Sequence, residues 1–224
     1  EPVRAQLQGK VTDEMRETAR TLLGLPKRQL FCTSAPADLS FVLTMPGEFD
    51  LTGLTCPEVT PAKNVALQKG DYFAYLARHD LLLALPYQSV NPFVDLLYEA
   101  ADDPDVVSIK ITLYRLAGSS RIAAALAYAA EHGKQVQCLL ELRARFDEQS
   151  NIDYSRMLED AGCDILYGLT QYKVHTKLCL ITRRCPGGIC YYTQVGTGNY
   201  NEKTAEQYTD LMLLTSDPAI GRDA

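Results

Sequence analysis

Residues 106–142, "VVSIKITLYRLAGSSRIAAALAYAAEHGKQVQCLLEL", hold the pattern on which the fold turns. The first ten, 106–115, are rich in β-branched and apolar residues and read as a strand. Residues 119–133 then carry a serine able to cap a helix, an alanine-rich run and a closing glycine. Residues 135–142 return to a short apolar run, a second buried strand. Strand, helix, strand within this length is a βαβ unit, which implies a sheet that is parallel at least in its first half.

The same grammar extends outward. "NPFVDLLYEAADD" (91–103) is helix-like, and "NIDYSRMLEDAG" (151–162) is another helix ended by glycine. "DILYG", "VHTKLCLIT", "ICYYTQVG" and "TDLMLLT" read as strands, and "NEKTAEQ" as a short helix. Upstream of about Asp80 the chain differs. "VTDEMRETARTLL" (11–23) has a helical pattern, but the Pro-, Gly- and Thr-rich "MPGEFDLTGLTCPEVTPAK" argues for irregular connections. The expected division is therefore 1–79, resembling the tail of another domain, and 80–224, an α/β domain.

Composition narrows the class. At 224 residues and 46% hydrophobic the chain can bury a sizeable core. No apolar run reaches the ~18 residues that cross a bilayer, and "EPVRAQLQGK" lacks the layout of a signal peptide, so the expected location is cytoplasmic. The seven cysteines are odd in number and form no CxxC pair; they read as reduced, mostly structural thiols, with "CPGGIC" (185–190) as a glycine-rich hairpin turn in preference to a metal-ligand pair. The formal net charge of −6 argues against general affinity for a polyanion, nucleic acid included. Yet residues 106–184 hold 11 Lys or Arg against 8 Asp or Glu, enough for a local anion site.

"KVHTKLCLI" (173–181) carries the chemistry. In a strand, Lys173, His175 and Lys177 would share one face, with His175 and Lys177 roughly 6.5 to 7 Å apart. Both could touch one phosphoryl group, the imidazole attacking phosphorus while the ammonium steadies its oxygens. Downstream, Gly196, Thr197, Gly198 and Asn199 end a strand and open a helix, a place where backbone N–H groups can receive an anion. Arg115, Arg143 and Arg145 stand where strands end, the rim on which α/β sheets bind ligands, and Asp147 or Glu148 could hold a guanidinium there. His79 and His132 read as a structural residue and a partner of a helix C-terminus.

"SIKITLYR", "LLELRARFDEQSNI", "YKVHTKL" and "VGTGNYNEKTAEQYTDLMLLT", in this order and spacing, resemble the bacterial polyphosphate kinase family, whose catalytic domains keep a phospholipase-D-like fold. The resemblance implies a mixed sheet flanked by helices, preceded by a partial α+β head-domain segment, with the first catalytic domain cut short. It implies reversible transfer of the terminal phosphate of ATP to inorganic polyphosphate through a phosphohistidine, with Mg2+. His175 would be the nucleophile, Lys177 the lysine of the superfamily and Asp210 the aspartate that orients the imidazole. Arg115 and Arg145 would lie by the magnesium-phosphate site without ligating the metal, and Tyr208 would stack on the base. A second domain, outside this chain, would complete the site, leaving the isolated chain inactive; the parent is expected to be a homo-oligomer, its association with membranes left open. Gln171 and Tyr172 depart from the small or apolar pair of the family. The rival readings are a phospholipase-D-type phosphodiesterase or nuclease and a non-catalytic polyanion-binding module. The first would need HxKxxxxD, but Thr182 stands five residues after Lys177 and the next downstream aspartate is Asp210.

Overall fold

The computed structural model describes residues 2–57, 59–62, 72–114, 116–117, 119–141, 148–168 and 171–224. The chain forms two compact units, Glu1–Glu58 and Val59–Ala224. In the first, β1 (Ala5–Gln8) pairs in parallel with β2 (Leu30–Thr33), and α1 (Asp13–Leu23) connects them. Thr12 caps α1 by accepting the Met15 N–H at 3.2 Å, and Gly24, at φ 64°, ends it in the left-handed conformation. A single turn, α2 (Met45–Glu48), follows.

The second unit, Val59–Ala224, holds the α/β part of the chain. Its first helix, α3 (Tyr72–Leu76), buries Tyr72, Phe73 and Leu76, and its Tyr72 and Phe73 N–H groups donate to the Glu99 carboxylate. Burial of Tyr72, Phe73 and Leu76 places α3 with the α/β core. Next come β3 (Leu81–Leu85), a strand the sequence reading does not anticipate, and α4 (Asn91–Asp102). The βαβ unit is present as β4 (Val106–Leu113), α5 (Arg121–Glu131) and β5 (Gln135–Leu140), with Ser120 capping Ala123 as expected. Then follow α6 (Glu148–Asp160), β6 (Asp164–Tyr167), β7 (Lys177–Cys185), β8 (Gly188–Gly196), α7 (Glu202–Ala205), β9 (Asp210–Thr215) and α8 (Pro218–Asp223).

Seven strands make one mixed sheet in the order β3-β9-β8-β7-β4-β5-β6. β4, β5 and β6 are parallel, and every other neighbouring pair is antiparallel. Alternate residues Ile109, Ile111 and Leu113 of β4, Val136, Cys138 and Leu140 of β5, and Cys179 and Ile181 of β7 are buried in one cluster with Phe93 and Leu97 of α4 and Ile122 and Leu126 of α5. Each such fully buried aliphatic or aromatic side chain stabilises the unit by about 1.5–3 kcal/mol.

The turn at 186–187 is the expected hairpin, but Cys185 and Cys190, with Cα atoms 6.1 Å apart, are joined by a disulfide. This corrects the reading of all seven cysteines as reduced thiols. The hairpin brings the two side chains within bridging range, which spacing alone does not reveal. Among the described residues no helix is long and apolar enough to cross a membrane.

Candidate active site

One edge of the sheet gathers the chemistry. β4 and β5 end there, β8 ends there at Gly196, and β7 and β9 begin there at Lys177 and Asp210. Lys177 opens β7 and alternates with Cys179 and Ile181, so it belongs to the buried face and is 4% exposed. His175 lies two residues before the strand, on irregular, exposed backbone. The expectation that Lys173, His175 and Lys177 form one strand face is corrected accordingly. Backbone groups of the approach are taken by side chains from elsewhere: the Thr112 hydroxyl donates to Thr176 O at 2.6 Å and accepts Leu178 N–H at 3.1 Å.

Leaving the strand lets the chain fold His175 back on Lys177. Lys177 Nζ is 3.0 Å from His175 Nδ1 and donates to the carbonyl of His175 at 2.5 Å. The Tyr114 ring meets the imidazole edge to face, centroids 5.0 Å apart, and its hydroxyl accepts from Lys173 Nζ at 3.1 Å. Both ammonium groups stand 5.4–5.5 Å from the Tyr114 centroid, within range of its π face. Desolvation, then the charges of Lys177 and Lys173, hold His175 below the usual imidazole range. Burial likewise lowers Lys177, and the Asp210 carboxylate opposes that drop. An imidazole of lowered basicity beside an amine that gives up its proton more readily than usual is an arrangement able to serve nucleophilic chemistry.

Asp210 opens β9 beside the Gly196–Asn199 stretch. Its Oδ1 accepts from the Thr197 hydroxyl at 2.7 Å, and its charge acts on Lys177 rather than through a bond to the imidazole. The Gly-Thr-Gly-Asn stretch serves that carboxylate: a Cβ on Gly198 would sit 2.5 Å from Asp210 Oδ2, and one on Gly196 would meet Gln194 Nε2 at 2.8 Å. These glycines admit neighbouring side chains. The helix that follows is one short turn capped by Asn201, not Asn199, whose Oδ1 is buried without a partner.

Glu202 was invisible as a site-edge residue in the sequence. Only 8% exposed, its Oε1 accepts from Arg121 N at 2.6 Å, Ile122 N at 3.0 Å and the Ser120 hydroxyl at 3.3 Å. It therefore fills the anion position at the start of α5 and fastens α7 to the β4–α5 connection. Tyr208 is exposed and away from these bonds. Arg115, Arg143, Arg145 and Asp147 lie outside the described residues. His132 Nδ1 is 2.8 Å from Tyr128 O at the end of α5, as read from the sequence. Among the described residues no cluster of three His, Cys, Asp or Glu side chains could hold a metal.

Comparison with known proteins matches residues 71–224 to the family model described as polyphosphate kinase C-terminal domain 1. The chain is 40% identical over 204 residues to the polyphosphate kinase of Staphylococcus haemolyticus, covering 90% of the chain and 28% of that protein. It is 38% identical over 226 residues to that of Lactiplantibacillus plantarum, covering 99% and 31%. The polyphosphate kinase structure from Porphyromonas gingivalis superposes with a TM-score of 0.66 at 31% identity, covering 96% of this chain and 36% of that one. A phospholipase D family member, Nuc, from Salmonella typhimurium shares the fold at a TM-score of 0.50 and 15% identity, over 65% of this chain and 88% of that one.

Proposed function

This chain belongs to the polyphosphate kinase family, and from that membership we propose that it supplies the phosphoryl-accepting half of an ATP:polyphosphate phosphotransferase. The observation that carries the reading is the 3.0 Å contact between His175 Nδ1 and Lys177 Nζ at the rim of the sheet. With Nδ1 so engaged, Nε2 is the ring nitrogen left to meet a substrate. For Nε2 to attack, Nδ1 must carry the ring proton and donate it toward Lys177 in its amine form. When Lys177 is an ammonium it donates to Nδ1 instead, and the ring proton sits on Nε2. The nucleophilic lone pair is therefore freed when Lys177 passes a proton to Nδ1 and the Nε2 proton leaves to water, and the burial of Lys177 eases that loss of one proton from the pair.

In the forward direction Nε2 forms a bond to the γ-phosphorus of ATP, the bond from that phosphorus to the β,γ-bridging oxygen breaks, and ADP leaves with the electron pair. A terminal oxygen of polyphosphate then attacks the phosphorus, the N–P bond breaks and the imidazole is restored. The reverse sequence makes ATP. Magnesium enters as part of the MgATP substrate. Arg115 and Arg145 would steady the phosphate oxygens and Tyr208 would stack on the base. Asp210 tunes Lys177 while held by Thr197, and Gly196, Thr197, Gly198 and Asn199 form the floor beneath it.

The chain spans 28–31% of the length of these curated relatives. Completion of the site by a second phospholipase-D-like domain, homo-oligomeric assembly and a cytoplasmic location are part of the proposal. The test is ATP-dependent polyphosphate synthesis by a polypeptide of the relatives' full length that contains this chain. Synthesis that is lost in His175→Ala, and that the 224-residue chain does not sustain alone, is the expected result. Undiminished synthesis in His175→Ala would overturn the reading.

A further inference from the structure

Glu141 lies one residue beyond β5, at the same edge of the sheet as His175, and is 2% exposed. A carboxylate costs free energy to bury unless hydrogen bonds repay it, and one of its bonds reaches the stretch before His175. Its backbone N–H donates to Leu113 O at 3.0 Å, which fixes it to the end of β4. Its side chain Oε2 accepts the N–H of Val174 at 2.9 Å. Gly168, whose own N–H donates to Leu140 O at 3.0 Å, leaves room for that carboxylate; a Cβ there would stand 3.3 Å from Oε2.

Val174 immediately precedes His175 and lies outside any strand, so no sheet ladder holds this stretch. We propose that Glu141 is a positioning residue for His175: its buried carboxylate ties the backbone just before the histidine to the joined ends of β4 and β5, keeping the imidazole on Lys177. Thr112 provides the complementary tie on the other side, through Thr176 O and Leu178 N. A carboxylate suits this place because it offers only acceptors, and a charge-assisted bond to N–H is stronger than a neutral one. The inference rests on His175 as the phosphoryl acceptor for its catalytic meaning, while the tie itself is a separate claim.

The experiment uses the 224-residue chain without ATP. Amide exchange of Val174 and the 15N titration of the His175 ring are followed in the unmodified protein, Glu141→Gln and Glu141→Ala. Among the described residues, the groups that face the ring are Lys177, Lys173 and Tyr114, with Asp210 acting through Lys177. In the unmodified chain Val174 should exchange at least about tenfold more slowly than an unstructured amide, the worth of one hydrogen bond. Glu141→Ala should abolish that protection and raise the His175 midpoint, as the ring leaves Lys177. Glu141→Gln keeps an acceptor oxygen and should restore both. Fast exchange of Val174 in the unmodified chain would overturn the proposal even if Glu141→Ala failed to fold, and so would a His175 midpoint unmoved in a folded Glu141→Ala. Failure of the phosphotransfer reading would show separately, as the absence of phosphate uptake in a protein whose Val174 and His175 still respond as described.

Discussion

A methyl group at residue 198 would land on the Asp210 side chain, and Gly198→Ala tests how that carboxylate is seated. The added Cβ would stand 2.5 Å from Oδ2, 2.6 Å from Cγ and 2.9 Å from Cβ of Asp210, where ordinary contact starts at about 3.4 Å. The Asp210 backbone is paired with Leu85, and Thr197 N donates to Leu211 O at 3.0 Å, so the strand ends resist moving and the carboxylate must turn aside. Overpacking of this kind costs about 1–3 kcal/mol. Loss of the 2.7 Å bond from the Thr197 hydroxyl would add about 0.5–1.5 kcal/mol if it were independent, but both losses follow from one displacement. The expected destabilisation is about 2 kcal/mol, or about 4–8 °C in Tm for a chain of this size. Gly187→Ala is the control, because a Cβ there meets nothing within 4 Å and should change stability by less than about 0.5 kcal/mol. Urea unfolding followed by amide NMR reads the unit Val59–Ala224 directly. A second readout is the ammonium of Lys177: with Asp210 displaced, burial acts unopposed and its pKa falls further. Equal stability of the two alanine variants, with Lys177 titrating as before, would refute the reasoning.

Three further outcomes follow from the same contacts. His175 should titrate below 6.5, so that between its midpoint and 6.5 the unfolded chain holds the proton and the folded chain does not; stability then rises with pH across that window and falls on acidification, and Lys177→Met should raise the midpoint. An NMR titration with a midpoint at or above 6.5 contradicts this. Glu202→Ala strips the carboxylate from the start of α5 and should cost about 2–3 kcal/mol by denaturant unfolding, while Glu202→Gln, which keeps an acceptor but not the charge, should cost about 1 kcal/mol. Tyr200→Phe removes the hydroxyl that donates to Gln194 Oε1 in the core, where Gln194 Nε2 already lacks a partner, and thermal unfolding should show a loss of about 1–3 kcal/mol.

The βαβ unit was legible because its signals are local: alternation in β4 and β5, a serine cap at Ser120 and glycine at Gly133, which adopts φ 80°. His175 and Lys177 were legible as a pair for the same reason. Their arrangement was not. Val-His-Thr-Lys alternates like a strand, yet Glu141 and Thr112, 33 and 64 residues distant from their partners, claim Val174 N and Thr176 O before a ladder can form. Glu202 reads locally as one acid in a short helix, and its true partners are 80 or more residues away. The disulfide at the β7–β8 hairpin was missed because an odd cysteine count says nothing about which side chains a turn brings together. What pattern reading lacks in each case is a long-range partner for a polar group, and such partners decide where irregular backbone at a site will lie.

The central claim is that His175 Nε2 accepts the phosphoryl group of ATP. Its most direct test is to give a full-length protein containing this chain γ-labelled ATP with magnesium, stop the reaction in alkali, and map the label by peptide mass spectrometry. Acid-labile, alkali-stable phosphate on His175, discharged by added ADP and absent from His175→Ala, is the predicted result. Label found on another residue, or retained in His175→Ala, would contradict it.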